Sequence, residues 1–383
     1  MMKYLIFYLS SVLCGSFVFA QSSVITTAVP LVHLVPDARG AGMGNAVLAS
    51  DANAFSPLWN MASTAFSDQK LEVGVTYRPW LRTVVDDGRL IGASGYYKLN
   101  SRHTIGATYR TLMFNLNSPL PNTDVSSFEV DFGLNYAFKL SDRSGIGVHV
   151  HTVSSRITHL NNEHYGIGPA VDINYFRKGD VGVLGVPAWS TFAVAINNIG
   201  PKFNYNGSTY KSFIPTNLKI GTGLNVVPRS GDLLSFLVNV EKLLVPSPPV
   251  VSNDGGILSG KDNNVGAVMG MLQSFYDAPG NVTIDDDGTV IIESGSRLKE
   301  ELDEISLGLG TEYKFQRIAA ARLGYYYQHV NKGGPHFLSV GLGASFKQFS
   351  LDFSYWAVLR QNFLDPNTLH FTLTFRLGQA IKN

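Results

Sequence analysis

The sequence has little charge, a single cysteine and no long apolar run after its N-terminus. Asp, Glu, Lys and Arg make up 15% of the 383 residues, whereas soluble globular domains contain about 25%. Beyond residue 20 there is no stretch of about eighteen consecutive apolar residues, which excludes a helical membrane span. One cysteine excludes a disulfide scaffold, and a hydrophobic content of 45% excludes a disordered chain.

The first twenty residues predict a cleaved export signal. Lys3 precedes the mainly apolar residues 4–19, and Ala20 ends an acceptable small-residue cleavage site. The only cysteine, Cys14, lies within this signal, so the mature chain would form neither a disulfide nor a thiolate metal site. Removing Lys3 reduces the basic residues from 30 to 29, against 29 acidic residues. No basic excess favours nucleic acid as a partner.

Apolar residues alternate with small or polar residues in the C-terminal third, most clearly near 305–313, 337–346, 349–355 and 369–377. A period of two is typical of a β-strand. The polar positions are mostly Gly, Ser and Thr with isolated charges, whereas a soluble sandwich would present a face rich in Lys and Glu. The pattern favours a barrel with an apolar lipid face and a polar lumen.

Similar segments earlier in the chain bring the number of predicted strands to fourteen. An even number, and strands of roughly 9–11 residues, suit a bacterial single-chain barrel. The predicted strands lie near 71–78, 89–98, 103–113, 127–139, 144–154, 165–176, 190–198, 216–227, 232–243, 305–314, 317–328, 336–346, 348–359 and 368–377.

The connections favour the same fold, because such barrels alternate short periplasmic turns with longer outer loops. The predicted connections follow this rule with one exception, residues 178–189, which form a long connection on the periplasmic side. Residues 155–164 are predicted to form one of the outer loops. Aromatic residues near strand ends are expected to form girdles at the two membrane interfaces. They are Tyr96, Tyr97, Tyr325, Tyr326, Tyr327, Tyr355 and Trp356. A soluble β-protein explains the alternation of residues but not these two features.

We therefore predict an all-β protein, a transmembrane β-barrel of about fourteen antiparallel strands in the bacterial outer membrane. The signal occupies 1–20, an N-terminal plug or hatch in the lumen 21–70, the barrel 71–377 and a short tail 378–383. The plug segment is too polar to cross a membrane, and its glycines allow close backbone packing. Asp37 and Arg39 could pair in a dry lumen. The plug residues singled out are Asp37, Arg39, Gly42, Met43, Gly44, Asp51, Trp59 and Asn60.

The D-x-R-x-x-G-M-G-x-A block at 37–46, followed by Asp51-Ala52 and Trp59-Asn60, resembles the PorV family, the outer-membrane component of the type IX secretion system. That family is itself similar to FadL-type channels, whose fourteen-stranded barrel holds an N-terminal hatch. The motif covers about residues 33–62, and the strand count extends the resemblance over the whole chain. Met61 departs from the family, which usually has proline there, and should alter a local turn.

The resemblance implies a binding and shuttling protein rather than an enzyme. PorV-like proteins hold the C-terminal signal domain of cargo that leaves the large type IX translocon barrel. They deliver it to a sortase-like cell-surface protease, which attaches the cargo to lipopolysaccharide. The implied partners are these proteins and outer-membrane lipid, with no nucleic acid and no cofactor. A FadL-like channel for hydrophobic small molecules and an outer-membrane enzyme acting on lipid A are the alternatives.

The predicted outer loop 244–303 is the candidate cargo-contact loop, since long irregular connections are usually functional. Residues 266–275 have roughly helical spacing of apolar side chains. Their side chains either pack over the barrel mouth or offer an adaptable contact to many cargo signals. The candidate contact residues are Met269, Met271, Leu272 and Phe275.

Two acidic or histidine motifs were weighed as metal sites. Asp285-Asp286-Asp287-Gly288 lacks the acids that a calcium loop needs at Thr283 and Ser294, so a hairpin with a solvated tip is predicted. His149 and His151 lie two apart on one strand face, but a zinc site needs three or four ligands and the sequence places no third. No metal site is predicted. No G-x-S-x-G elbow occurs, and no catalytic residue is predicted.

Overall fold

A computed structural model shows a closed barrel of fourteen antiparallel strands. The strand next in sequence is the neighbour in space throughout, and the last strand pairs with the first to close the barrel. The structure describes residues 24–80, 85, 87–116, 124–159, 162–183, 185–208, 210–252, 254–285, 289–360 and 368–379. The predicted export signal and the last four residues of the predicted tail lie outside the described residues.

The predicted fold class is confirmed, and each of the fourteen predicted segments corresponds to a barrel strand. The strands are β1 Gln69–Pro79, β2 Arg89–Lys98, β3 His103–Leu116, β4 Val125–Lys139, β5 Ser144–His159, β6 Asn162–Val183, β7 Val186–Ile199, β8 Asn217–Val226, β9 Leu233–Leu243, β10 Ile305–Phe315, β11 Ala319–Tyr327, β12 His336–Phe346, β13 Phe349–Arg360 and β14 Thr368–Gln379. We call the end of the barrel with the connections 99–102, 140–143, 184–185, 227–232, 316–318 and 347–348 the short-turn end, and the opposite end the long-loop end.

Alternate residues of each strand face opposite sides of the barrel wall. In β1, Val75 is 53% exposed on the outside, whereas its neighbour Thr76 is 4% exposed and faces the lumen. Every buried backbone amide of such a wall is paired with an adjacent strand, which is the condition for crossing a hydrocarbon layer. The outer face therefore presents large apolar side chains to lipid. Among the described residues no helix is long and apolar enough to cross a membrane.

The predictions for the two connections that flank β6 are wrong. Residues 155–164 are not an outer loop, because β5 continues to His159 and β6 begins at Asn162. Residues 178–189 are not a long inner connection, because only residues 184–185 separate β6 from β7. Residues 155–164 carry mainly polar and charged side chains, so the apolar alternation does not reveal them as strand. The connection between β6 and β7 now follows the short-and-long rule, whereas the connection between β5 and β6 breaks it, because it is short at the long-loop end.

The prediction of an aromatic girdle is wrong for three of its seven residues. Tyr96, Tyr326 and Trp356 are buried on the lumen side. Tyr326 and Trp356 stack on the two faces of Phe337, with ring centroids 5.2 Å and 4.1 Å from it. Adjacent residues of a strand point to opposite faces, so a run of aromatic residues cannot lie entirely in a girdle. Tyr97, Tyr325, Tyr327 and Tyr355 alternate with them toward the outside.

The prediction of isolated charges on the polar face is also wrong. Charged side chains on several strands are buried in the lumen and paired with one another, as between Arg110 and Asp131, whose Nη2 and Oδ2 atoms lie 2.6 Å apart. A charge in the lumen of a membrane protein is costly unless it is paired. The lumen wall is therefore a set of ion-pair groups rather than a uniform Gly, Ser and Thr surface.

The remaining elements are short. The helices are α1 Ala38–Gly42, α2 Ser56–Trp59, α3 Ala267–Gln273 and α4 Ser296–Asp303, with 3-10 turns at Pro30–His33, Met61–Phe66 and Val330–Lys332. In the long loop between β9 and β10, Val282–Ile284 pairs with Val290–Ile292, which confirms the predicted hairpin. Asp286, Asp287 and Gly288 of its predicted acidic tip lie outside the described residues.

Residues 24–68, which we call the inner segment, lie inside the barrel. α1 contacts β11 to β14, and the turn Met61–Phe66 contacts β2 to β6 on the other side. Between them, the Asn45 carbonyl accepts a hydrogen bond from Asn239 Nδ2 of β9, at 2.9 Å. A segment that contacts strands on opposite sides of a closed barrel must occupy its interior. Most of its residues from 28 to 65 are buried.

The lipid-facing side predicts the cost of an outward charge. Val340 lies at the middle of β12 and is half exposed on the outer face. Val340→Arg should lower the free energy of unfolding by about 2–4 kcal/mol, because an arginine at the bilayer midplane loses its hydration. Leu140→Arg, in a short turn, is the matched control and should cost about 0–1 kcal/mol. Urea unfolding of the barrel in lipid vesicles measures both, and equal costs would contradict this arrangement of the wall.

Candidate functional site

The inner segment is fixed to the barrel wall by a buried, bidentate ion pair. Arg39 of α1 donates from Nε and Nη2 to the two carboxylate oxygens of Glu312 in β10, at 3.0 and 2.9 Å. Glu312 is fully buried and Arg39 almost fully. Two parallel charge-assisted bonds fix both distance and orientation. Arg39 also donates from Nη1 to the hydroxyl of Ser50 and the carbonyl of Asp51, which ties two parts of the inner segment together.

Glu312 is shared by two further cations. Arg322 Nε of β11 lies 2.7 Å from Glu312 Oε1, and Lys314 Nζ lies 3.2 Å from Oε2. Arg322 in turn reaches Asp352 of β13, with Nη1 2.7 Å from Oδ1. We call these five residues the Glu312 group. The predicted pairing of Arg39 with Asp37 is wrong, because the guanidinium points to the wall, where both carboxylate oxygens of Glu312 accept its N–H groups.

Asp37 organises the inner segment itself. Its carboxylate accepts the Gly40 amide at 3.1 Å, which caps the N-terminus of α1, and the Trp59 indole N–H at 2.6 Å. A side chain at position 40 would place its Cβ 2.5 Å from the Trp59 ring, so glycine is required for the ring to lie across α1. Asp37 and Trp59, which are 22 residues apart, therefore form one packed unit.

Gly42, Met43 and Gly44 bring the inner segment into backbone contact with the wall. Gly44 has a positive φ of 57°, and a Cβ there would lie 2.5 Å from the carbonyl oxygen of Tyr325. Facing it, a Cβ on Gly324 would lie 2.1 Å from the Gly44 nitrogen. Glycines on both surfaces therefore allow an approach that any side chain would prevent. Met43, which is fully buried, packs beside Gly310.

Asp51 and Asn60, the remaining residues of the motif, bond the inner segment to the barrel wall. Asp51 pairs with Lys178 of β6 at 3.0 Å between Oδ1 and Nζ. Asn60 Nδ2 donates to the carbonyls of Leu48 and Tyr175. At Met61, where the resembled family usually has proline, the backbone N–H donates to Asn174 Oδ1 at 3.2 Å. Proline has no N–H, so this departure adds a bond to the wall.

Two cavities lie on either side of the inner segment. The one toward the short-turn end has a volume of about 430 Å³ and is lined by charged residues of the Glu312 group, with Asp37, Lys178 and Arg376. The one toward the long-loop end has a volume of about 270 Å³, and its wall includes Trp59, Arg78 and the stacked Tyr326, Phe337 and Trp356. Trp59 and α1 thus stand between a charged compartment and one that is lined by aromatic side chains together with charged ones, among them Lys219, Glu241 and Lys332.

The long loop between β9 and β10 is held at the barrel rim by carboxylates of α4 and the residue after it. Glu304 Oε2 lies 2.5 Å from Lys242 Nζ of β9, and Glu304 Oε1 lies 3.0 Å from Lys332 Nζ. Glu300 also pairs with Lys332, and Glu301 with Lys242. Glu300 also accepts a hydrogen bond from the backbone N–H of Gly280, and Glu301 accepts one from the backbone N–H of Ala278. These contacts hold the C-terminal part of the loop to the rim and to residues 278–280.

α3 lies in this loop and presents an apolar face outward, as the predicted helical spacing requires. Gly270 packs on Phe213, and the Gln273 side chain donates to the Asp262 carbonyl, so this side of the helix is buried. Met269 is 53% and Leu272 58% exposed on the opposite side. We call the exposed side chains the α3 face. They are Val268, Met269, Leu272, Phe275 and Tyr276, whereas Met271 is half-buried.

His149 and His151 face the lumen from β5, where the structure adds a residue that sequence reasoning missed. Asp172 of β6 lies directly across from His149, at 2.8 Å between Oδ2 and Nδ1. It stands 23 residues after His149, and only the register of β5 with β6 brings the two together. No spacing rule within the sequence could have identified it.

Comparisons with known proteins agree with this fold. A family profile described as type IX secretion system protein PorV matches residues 18–250. The CymD monoaromatic hydrocarbon channel is 10% identical, with a TM-score of 0.51, over 91% of this chain and 99% of that chain. The Ralstonia pickettii toluene transporter TbuX is 11% identical, with a TM-score of 0.53, over 90% and 98%. Identities this low show a shared fold alone. Among curated proteins no match was found.

Removing the carboxylate of Glu312 should destabilise the barrel strongly. Glu312→Gln leaves Arg39, Arg322 and Lys314 facing one another, and uncompensated buried charge costs about 3–5 kcal/mol. Asp51→Asn, which breaks a half-exposed pair with Lys178, is the matched control and should cost about 0–1 kcal/mol. Urea unfolding in vesicles measures the cost, and amide exchange over residues 38–46 should accelerate in the first variant alone. Equal behaviour of the two variants would refute an anchoring role for Glu312.

The long loop should be more stable in mild acid. Burial and the neighbouring carboxylates of Glu304 and Glu301 raise the pKa of Asp277 to about 7, from an ordinary 3.8. The contribution of Asp277 to loop stability is therefore full below about pH 4 and is lost as the pH rises to about 7. Amide exchange near Ser247 and Asp277, corrected for its intrinsic pH dependence, should be slower at about pH 5 than at about pH 8. Asp277→Asn should remove most of this difference, and an unchanged difference would contradict the assignment.

Proposed function

We propose, from the premise that this chain belongs to the PorV family of type IX secretion system proteins, that it binds the C-terminal signal domains of exported cargo at its long-loop end. The chain is an outer-membrane β-barrel of that secretion system. In the proposed role, cargo reaches it from the large translocon barrel. It then passes to a sortase-like cell-surface protease, which attaches it to lipopolysaccharide.

The α3 face is the observation that carries this proposal. A soluble surface seldom exposes several large apolar side chains together unless they meet a partner. Here they stand on a loop that two lysines and three glutamates hold at the rim, so little ordering is needed on binding. Methionine and leucine side chains can adapt to cargo signals of different sequence. Recognition of this kind depends on shape and apolar contact rather than on net charge.

The inner segment serves, in this proposal, as a plug that directs binding to the loops. It lies between the two cavities, and its contacts run to strands around the barrel wall. Release of the segment would break the Glu312 group and expose buried charge, which makes a resting open channel costly. Cargo would therefore meet the outer surface of the loops and not the lumen.

A channel for hydrophobic small molecules is the second candidate. The aromatic compartment beside Phe337 and Trp356 favours it, since it could hold a small apolar molecule. The charged compartment on the opposite side of the inner segment is a barrier to such a molecule. We assign no catalytic residue, because neither the matched family nor the channel neighbours are enzymes. An activity on lipid A would need a reactive group that faces lipid.

Polar substitutions on the α3 face should weaken cargo binding. The double variant Met269→Asp and Leu272→Asp should reduce the affinity for a purified cargo signal domain by about tenfold or more, since central interface residues contribute about 1–2 kcal/mol each. The matched control is Ile318→Asp, which changes an exposed apolar residue in a turn at the short-turn end. Binding is measured with the whole barrel in detergent or nanodiscs against immobilised signal domain.

Equal loss of binding in the control, or no loss in the double variant, would exclude the α3 face as the contact surface. The channel candidate makes a different prediction. It requires uptake of a hydrophobic compound that depends on the protein, while secretion of cargo remains normal after its deletion.

A further inference from the structure

Two histidines and an aspartate form a buried group on the lumen side of the wall. His149, His151 and Asp172 can each direct one ligand atom to a common region, with these atoms all within 4.8 Å of one another. All three residues are buried. The imidazole rings are stacked in parallel, 4.4 Å apart with an interplanar angle of 7°. We call these residues the His149 group.

The nitrogens and oxygens that face away from this common region are held by further hydrogen bonds. His151 Nδ1 lies 2.6 Å from Asp131 Oδ1, and Arg110 holds the other oxygen of Asp131. His149 Nε2 lies 3.0 Å from the hydroxyl of Thr108. Histidines that ligate a metal almost always have their second nitrogen held by a carboxylate, a carbonyl or water in this way. The outer contacts thus fix the orientation of the rings.

The distance between His151 Nε2 and Asp172 Oδ1 is the decisive observation. These atoms lie 3.4 Å apart, and His151 Nε2 makes no hydrogen bond within the described part of the chain. Charge-assisted N–H to carboxylate bonds are about 2.7–2.9 Å long, so the gap is too wide for one. Two ligands of a tetrahedral zinc ion at about 2.0–2.1 Å are separated by about 3.3 Å. This gap therefore suits a metal ion, which on binding would displace the proton that His149 Nδ1 and Asp172 Oδ2 share at 2.8 Å.

The charges of the group leave one positive charge to be supplied. Asp131 and Asp172 carry two negative charges, and Arg110 compensates one of them. The second is balanced either by a proton on His151, which lies between the two carboxylates, or by a metal ion bound by neutral imidazoles and a carboxylate.

The backbone is shaped to form this group. The register of β6 with β7 shifts at Asp172, a β-bulge of the kind that redirects a side chain at functional sites. Across the bulge, Asn198 has a positive φ of 59° and donates its backbone N–H to Asp172 Oδ1 at 2.6 Å. Gly133 is required as well, because a Cβ there would lie 2.1 Å from His149 Nε2. One bulge, in which Asn198 takes the positive φ, and one glycine that leaves room for a ring therefore surround the aspartate and the two histidines.

We propose that His149, His151 and Asp172 bind a divalent transition-metal ion of the zinc class in the lumen wall. The ligand atoms are His149 Nδ1, His151 Nε2 and the Asp172 carboxylate. The ion joins β5 to β6, and through the Asn198 amide it also supports β7. This proposal does not depend on cargo binding.

Metal content of the whole barrel tests the proposal. The protein is purified with a tag that contains no histidine, stripped with a chelator, exposed to zinc sulfate and freed of excess zinc. Elemental analysis should then find about one zinc ion per chain. Asp172→Asn and His151→Gln should each lose at least nine-tenths of it. Asp131→Asn, which removes the carboxylate that holds His151 and Arg110 but no ligand atom, should weaken zinc affinity by about 10–100-fold.

His370→Gln is the matched control, because His370 is a buried lumen histidine on β14 that lies outside the group. It should retain the zinc content of the wild type. Only protein with the gel migration of a folded barrel before boiling is analysed, so that misfolded variants are not counted. Absence of zinc from the folded wild type would overturn the proposal and indicate a group held by protons. Equal zinc in the wild type and in both ligand variants would overturn it too.

Discussion

The ion pair between Arg39 and Glu312 is the interaction on which the interior of this barrel depends. It fixes α1 against β10, and the glycine contacts on both sides of it allow the two backbones to touch. Because Glu312 also holds Arg322 and Lys314, the inner segment joins an ion-pair group that already links three strands of the wall. The positions of both cavities follow from this one attachment. The segment and the wall are therefore parts of a single packed structure, and the barrel is not a pore with a loose insert.

The division of side chains between the two faces of the wall explains the unusual composition. The lipid face takes the large apolar residues, so the chain can be 45% hydrophobic without a buried core of matching size. Some of its few charges are buried in the lumen, and several of these are paired with one another. In the proposed function, recognition of cargo falls to the long loop, which Glu300, Glu301 and Glu304 hold to Lys242 and Lys332. A rigid barrel with a filled lumen and a fixed apolar loop suits a protein that binds other proteins at the membrane surface.

Strand positions could be predicted from the sequence because contact with lipid imposes a period of two at every membrane-crossing residue. The alternation with a period of two is lost where a strand leaves the membrane. The polar extensions of β5 and β6 therefore cannot be distinguished from connections by this pattern. It also does not distinguish an outward tyrosine from an inward one at a strand end, so Tyr96, Tyr326 and Trp356 were misplaced. Contacts between residues on different sides of the barrel cannot be identified from the spacing of residues in the sequence. Arg39 meets Glu312, 273 residues later, and His149 meets Asp172 only through strand register.

Contact with cargo at the loops and not in the lumen is the central claim, and site-specific photo-crosslinking tests it most directly. A photoreactive amino acid is placed at Leu272 on the α3 face or at Ser354, which is buried on the lumen side of β13 beside Gly42. The barrel is then illuminated with a bound cargo signal domain. We expect a crosslinked product from position 272 and none from position 354. A product from position 354, or none from position 272 while binding persists, would contradict the claim.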